Sequence, residues 1–282
     1  MGVLLLGGSI EFYKNMIFYY GDGVYIIGDD SSGYVNVYKV AYDGSSWEKY
    51  MPLFKAEKTI TVENDMTKVE WRRPDVFLHK EYVYYVDNSE SQPKLRRILM
   101  GGSEIEVVAE TQGERAMLYR VKCYGDFVFF QSAHYIGEEI FGGIYAYNVK
   151  NGEVVLVKAD VIRDYYIVDD MLYFEMEETI YQYDLKTGVQ KELPVKCMKD
   201  TWNSYYVDED AIYVFSGGLG CLDIYDKEGK HLTSVIDSRI RDCFFGKNGY
   251  FLADTEEDGI AVLDVDSARK GNGEWICFPK ED

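Results

Sequence analysis

One short signature constrains this chain more than any other: an aromatic-rich stretch, a two-residue polar turn, then an apolar-aromatic-apolar triplet. Its central aromatic falls at Tyr25, Tyr84, Phe129, Tyr173, Tyr213 and Phe251. The successive spacings are 59, 45, 44, 40 and 38 residues. Self-similarity at about 40–45 residues, with four short strands per unit, is the pattern of a β-propeller. Tyr165-Tyr166-Ile167-Val168, Asp169-Asp170 and Met171-Leu172-Tyr173-Phe174 give the clearest strand, turn and strand. Ile180-Tyr181-Gln182-Tyr183 then alternates apolar and polar residues, as a third strand with one buried face should.

A second turn recurs with the same chemistry. Tyr42-Asp43-Gly44, Tyr147-Asn148 with Gly152, Tyr183-Asp184 with Gly188, and Tyr225-Asp226 with Gly229 each place Asp or Asn after an aromatic, then Gly. Asx side chains bond the turn backbone and Gly accepts positive φ. The second repeat has Gly101-Gly102 there. The sixth has Asp264 and Asp266, then Gly271-Asn272-Gly273. These signals predict an all-β, six-bladed β-propeller, one domain over 1–282, with blades at 15–50, 72–108, 119–157, 162–195, 202–237 and 240–278. Residues 51–71 read as an insertion, in which Thr59-Ile60-Thr61-Val62 could be the outer strand of the first blade. Val3 to Leu6 could add a strand or cap an edge. Seven blades, the first truncated, is the alternative count.

The second-strand motifs carry a family resemblance. Tyr84-Tyr85-Val86-Asp87 is similar to the Tyr-Trp-Thr-Asp motif of the low-density-lipoprotein-receptor type of propeller, and Phe251-Leu252-Ala253-Asp254 keeps apolar residues and the Asp. Tyr25-Ile26-Ile27-Gly28, Tyr213-Val214-Phe215-Ser216 and Tyr173-Phe174-Glu175-Met176 depart from it. The chain most resembles bacterial relatives of this propeller without an assigned function. The resemblance implies a fold and not a ligand. Receptor members bind protein partners across one face, so it also implies a binding module.

Charge narrows the partners. With 30 Lys and Arg against 49 Asp and Glu, the net charge is −19. Nucleic acid and anionic membrane surfaces are recognised by cations, so neither is an expected partner. Five cysteines (Cys123, Cys197, Cys221, Cys243 and Cys277) show no C-x-x-C spacing and read as thiols, with Cys123 and Cys243 at buried strand positions. The opening Met1 to Asn15 lacks the basic start and apolar length of a signal peptide. No run has the ~20 apolar residues of a membrane helix. The expectation is a cytoplasmic protein without membrane insertion, or a cell-surface one if the chain is a fragment.

Two sets of segments suggest a site. Arg73, Arg120, Arg163 and Arg241 lie 11, 9, 10 and 10 residues before their central aromatics, where entry loops are expected; Trp202 stands there in the fifth repeat. Four such arginines could focus an anion, or pair locally with Asp75, Asp164 and Asp242. The longest connection, 131–143, reads as a recognition loop carrying His134, Tyr135, Glu138, Glu139 and Phe141. Tyr135 and Phe141 are its candidate anchors, unless Phe141 tucks beneath it. The acidic turns at Asp29-Asp30 and Glu256-Glu257-Asp258 lack the D-x-D-x-D-G calcium pattern, so no metal or other cofactor is expected. The three histidines, His79, His134 and His231, have no metal-ligand spacing, and no G-x-S-x-G elbow occurs. The function expected is non-catalytic recognition of a protein, peptide or glycan. The alternatives are a propeller glycosidase or lyase using carboxylates such as Glu138 or Glu257, and a structural repeat domain of a larger surface protein.

Overall fold

The computed structural model describes residues 11–278, except 22, 31, 42–44, 56, 64–65, 73–75, 88–91, 161, 163, 198–202, 246–248 and 256–258. The expected cap at Val3 to Leu6 lies outside the described residues. The chain forms two compact units, Met1–Val161 and Ile162–Asp282. Each contains three four-stranded antiparallel sheets whose strand order follows chain order. Six such meanders are the six-bladed β-propeller class.

In the first unit the sheets are β1 (Glu11–Tyr20), β2 (Gly23–Asp29), β3 (Tyr34–Val40) and β4 (Trp47–Lys55), then, beyond a hairpin, β7 (Val76–His79), β8 (Tyr82–Asp87), β9 (Lys94–Leu99) and β10 (Ile105–Glu110). The third sheet is β11 (Glu114–Tyr124), β12 (Phe127–Ile136), β13 (Glu139–Asn148) and β14 (Val154–Lys158). Among the described residues the intervening hairpin, β5 (Glu57–Glu63) with β6 (Met66–Arg72), pairs only with itself. Thr59 to Val62 therefore do not form the outer strand of the first sheet. That place is taken by β4, which registers Trp47 against Val40 and Lys55 against Tyr34.

The second unit holds β15 (Tyr165–Val168), β16 (Met171–Met176), β17 (Thr179–Asp184) and β18 (Gln190–Lys196), then β19 (Asn203–Val207), β20 (Ile212–Ser216), β21 (Cys221–Tyr225) and β22 (His231–Ile236). Its last sheet is β23 (Ile240–Phe245), β24 (Tyr250–Thr255), β25 (Ile260–Asp264) and β26 (Ile276–Phe278). A short helix, α1 (Val265–Arg269), replaces the plain turn expected before β26; Asp264 caps it by accepting from Ser267 N at 2.7 Å.

The repeat exists because each unit must bury the same ring. Tyr25, Tyr84, Phe129, Tyr173, Tyr213 and Phe251 sit on second strands and are at most 4% exposed. Burial of one such side chain contributes roughly 1.5–3 kcal/mol. Tyrosine adds a polar tip that needs a partner. The Tyr173 hydroxyl accepts from Gln182 Nε2 at 2.8 Å, and that of Tyr213 donates to Asp208 Oδ2 at 2.9 Å. Edge-to-face contact of Tyr213 with Phe251, 4.9 Å between centroids, ties the fifth sheet to the sixth.

The recurring turn also has its predicted mechanism. Asp184 Oδ1 accepts from Lys186 N and Thr187 N at 2.7 and 3.0 Å, and Gly188 takes φ 73°. Asp226 Oδ1 accepts from Glu228 N and Lys230 N at 3.1 and 2.8 Å. Asn148 Oδ1 accepts from Lys150 N at 2.9 Å. The first copy, Asp43-Gly44, lies outside the described residues. All five cysteines are free, and Cys243 is buried enough that its thiol is pushed well above its ordinary range.

Candidate functional site

The third sheet departs from the other five. Its central strands continue in unbroken register from Phe127 opposite Asn148 to Ile136 opposite Glu139. Residues 131–143 are thus a projecting hairpin and not the loop expected. Gln131, Ser132 and His134 are polar, and Gly142-Gly143 lacks side chains, so strand periodicity is hidden there although the backbone keeps it. Gly137 opens the two-residue turn with φ 64°, a conformation that favours glycine.

Two faces follow from the alternation of strand side chains. Phe130, Ser132 and His134 lie on one, opposite Tyr145, Gly143 and Phe141. Phe130 stacks on Tyr145 with centroids 5.6 Å apart, and His134 stacks on Phe141 at 6.1 Å. Between these pairs Gly143 admits β14. A Cβ on Gly143 would lie 2.4 Å from the Lys158 carbonyl oxygen and 2.8 Å from Leu156 Cδ1, so the close approach of β14 requires glycine. The end of β10 and the link that follows it form the opposite wall. Together they enclose a cleft of about 310 Å³ lined by Ala109, Glu110, Thr111, Gln112, Phe130, Ser132, His134, Tyr145 and Val154. Thr111 Oγ1 and Ser132 Oγ, both buried, share a hydrogen bond of 2.8 Å at its base. Gly113, at φ 124°, lets the link pass beneath His134; a Cβ there would meet the imidazole at 2.9 Å. The volume suits one or two side chains or a single sugar ring, small beside drug-sized pockets.

The tip carries exposed apolar surface. Ile136 is 62% exposed, Ile140 46% and Phe141 42%. Phe141 does not tuck beneath the hairpin; it packs on His134 and keeps its other face open. Tyr135 lies on the opposite face, half-buried, with Arg115 Cζ 5.7 Å from its ring centroid. Glu138 and Glu139 are exposed beside the turn.

Of the four expected arginines, the two that are described lie within strands. Arg120 lies inside β11, at an irregularity of register between Tyr119 and Lys122 where its own φ is 52°. Its Nη1 donates to Gln131 Oε1 at 3.2 Å, and its guanidinium lies 5.1 Å from the Tyr119 ring centroid. Burial pushes the Tyr119 phenol up, opposed by that charge. Arg241 lies in β23, exposed. Arg73, Arg163 and Trp202 lie outside the described residues. Of the carboxylates expected to pair with arginines, Asp75 lies outside the described residues, Asp164 Oδ1 accepts from Tyr165 N at 2.7 Å and Asp242 Oδ1 accepts from Cys243 N at 2.8 Å.

Asp30 is likewise occupied by its own turn. It accepts from Ser32 N and Oγ, Tyr34 N and Asn36 Nδ2 at 2.6–3.1 Å and from Lys49 Nζ at 3.3 Å. These donors hold its carboxyl far below the usual carboxylate range. Among the described residues no group of three His, Cys, Asp or Glu is placed to hold a metal ion. Nor, among them, is any helix long and apolar enough to cross a membrane.

The sequence signals missed the cleft's other wall. Thr111 and Gln112 precede β11 without any motif, and Ser132 reads as one more polar loop residue. The link between β10 and β11 meets β12 through the Thr111–Ser132 hydrogen bond, a contact no local spacing reveals.

No protein-family model and no curated protein matches the sequence. Solved structures do. A structure from an analysis of two prolyl endopeptidases and the role of inter-domain dynamics in their catalysis and specificity superposes with a TM-score of 0.61 at 14% identity, over 97% of this chain. This chain spans 41% of that one's length. An oligogalacturonate lyase in complex with manganese gives a TM-score of 0.55 at 13% identity, over 92% of this chain and 74% of the other. The two activities are unlike, so at these identities the likeness carries the fold alone.

Proposed function

We propose that this protein is a non-catalytic recognition module that binds a polypeptide segment at the projecting hairpin and cleft of its third sheet. The observation that carries this reading is the hairpin tip. Ile136, Ile140 and Phe141 expose apolar surface on a strand pair that extends beyond what its sheet needs, beside a cleft with hydrogen-bonding groups at its base. Aromatic and aliphatic anchors next to a partly polar pocket are the usual centre of a recognition surface. The resemblance to low-density-lipoprotein-receptor propellers, whose receptor members bind proteins, supports a polypeptide over a glycan. The arginines do not carry the reading, since Arg120 is committed to Gln131 and Tyr119.

Titration of peptide and oligosaccharide panels against the wild type and Phe141→Ala tests it. The reading expects peptide binding weakened about tenfold or more in the variant, with unchanged unfolding. Tighter binding of oligogalacturonate, or its turnover, would replace this reading with a glycan-binding or lyase one.

A further inference from the structure

We propose that residues 139–142 of β13 form a docking edge that takes an extended basic and apolar polypeptide as an additional β-strand. This rests on the recognition reading above and deepens it by naming the backbone that does the binding.

The first argument is pairing. On one edge β13 registers with β12 along its whole length, from Glu139 to Asn148. On the other it registers with β14 only from Ile144 to Tyr147. β14 leaves where the Lys158 carbonyl crosses Gly143. Among the described residues no strand pairs with 139–142 on that edge. An unpaired edge offers a row of backbone donors and acceptors, which is the template for strand addition. Four residues span about 13 Å at the rise of a strand.

The second argument is the side chains that flank this edge. Phe141 faces the cleft side with His134, and Ile140 faces the other. Both are exposed, so an added strand finds an apolar neighbour on each face. Its side chains on the Phe141 face would sit beside the cleft, where specificity could be read.

The third argument is charge. Glu138 and Glu139 flank the edge, Glu110 lines the cleft, and the chain carries a net −19. Lys or Arg at alternate positions of the added strand would meet these carboxylates. The same carboxylates disfavour a second copy, because two such edges side by side would oppose like charges.

The experiment titrates the full chain with a blocked ten-residue peptide of alternating valine and lysine, and with the same peptide N-methylated at every second residue. Binding is read by backbone amide shifts and by hydrogen exchange at residues 139–142. The expected result is saturable binding with at least tenfold slower exchange at the amides of Ile140 and Gly142, the two that point away from β12. The N-methylated peptide should bind at least tenfold more weakly, because it cannot complete the ladder. Ile140→Pro, which removes one donor, should weaken binding similarly. Exchange and shifts elsewhere in β11 to β14 report that it still folds. Equal binding of the N-methylated peptide, or shifts confined to the cleft walls without protection of 139–142, would overturn strand addition and leave the recognition reading standing. Failure of every peptide to move any resonance in 109–145 would overturn both.

Discussion

The third and fourth sheets are copies of one plan that end differently. In the fourth, β16 and β17 are six residues each and close at Glu177-Glu178, both at positive φ (50° and 66°). The outer strand β18 reaches that end, where Lys196 is registered against Thr179 and Lys196 Nζ donates to Thr179 Oγ1 at 2.7 Å. No part of that edge is left over. In the third, β12 and β13 are ten residues each, and pairing with β14 stops at Ile144, five residues short of Glu139 in the tip's last pair. The common part of both hairpins carries the buried rings, Phe129 and Tyr173. The surplus of the third carries exposed apolar side chains, Ile136, Ile140 and Phe141. Packing explains what the repeats share; what one repeat adds beyond packing is where binding is to be sought.

The comparison predicts effects of very different size. Tyr173→Ala removes a buried ring and should cost about 3–5 kcal/mol of stability, measured by urea unfolding. Phe141→Ala, at the exposed end, should fall within about 0.5 kcal/mol. If the two costs were similar, the tip would be core and not surplus. Replacing residues 133–142 by Asn-Gly would bring the third hairpin to the length of the fourth, with Ser132 opposite Gly143 as the closing pair. Asn-Gly matches the turn that joins two registered strands, so the variant should stay folded with a stability change of about 1 kcal/mol while peptide binding disappears. Conversely, the fourth hairpin's turn can be relaxed. Glu178→Gly removes a side chain held at positive φ and should stabilise by about 0.5–1 kcal/mol, read as a rise in the urea midpoint.

The smallest effect concerns acid. His79, on the first strand of the second sheet, buries its Nε2, and burial together with neighbouring Lys80 holds its pKa below the ordinary value of 6.5. The folded state therefore favours the neutral ring. Its contribution is present above pH 6.5 and is lost as pH falls below it through the folded pKa. Midpoints measured from pH 7.5 to 5 should drop, and His79→Gln should flatten that drop. The fourth sheet has no histidine, so a variant there should leave the slope unchanged.

How much of this was legible in the sequence follows from what made it periodic. The six buried aromatics announce the sheets because every sheet needs one at the same depth. Asp184, Asp226 and Asn148 announce the second turn because each accepts from its own turn backbone. The hairpin of 131–143 was hidden for the opposite reason. Its side chains answer to no repeated packing demand, so Gln131, Ser132 and the two glycines resemble a loop. Arg120 recurs at the expected offset, but its role is a contact with Gln131 and Tyr119 inside a strand. The helix α1 was missed because Asp264 serves equally as a turn residue and as a cap.

The central claim is that recognition resides in the surplus of the third sheet. Calorimetric titration of the alternating valine-lysine peptide into the wild type and the shortened-hairpin variant tests it most directly. The account predicts binding by the wild type and none by the folded variant. Equal affinity for the two would contradict it and move the site elsewhere on the molecule.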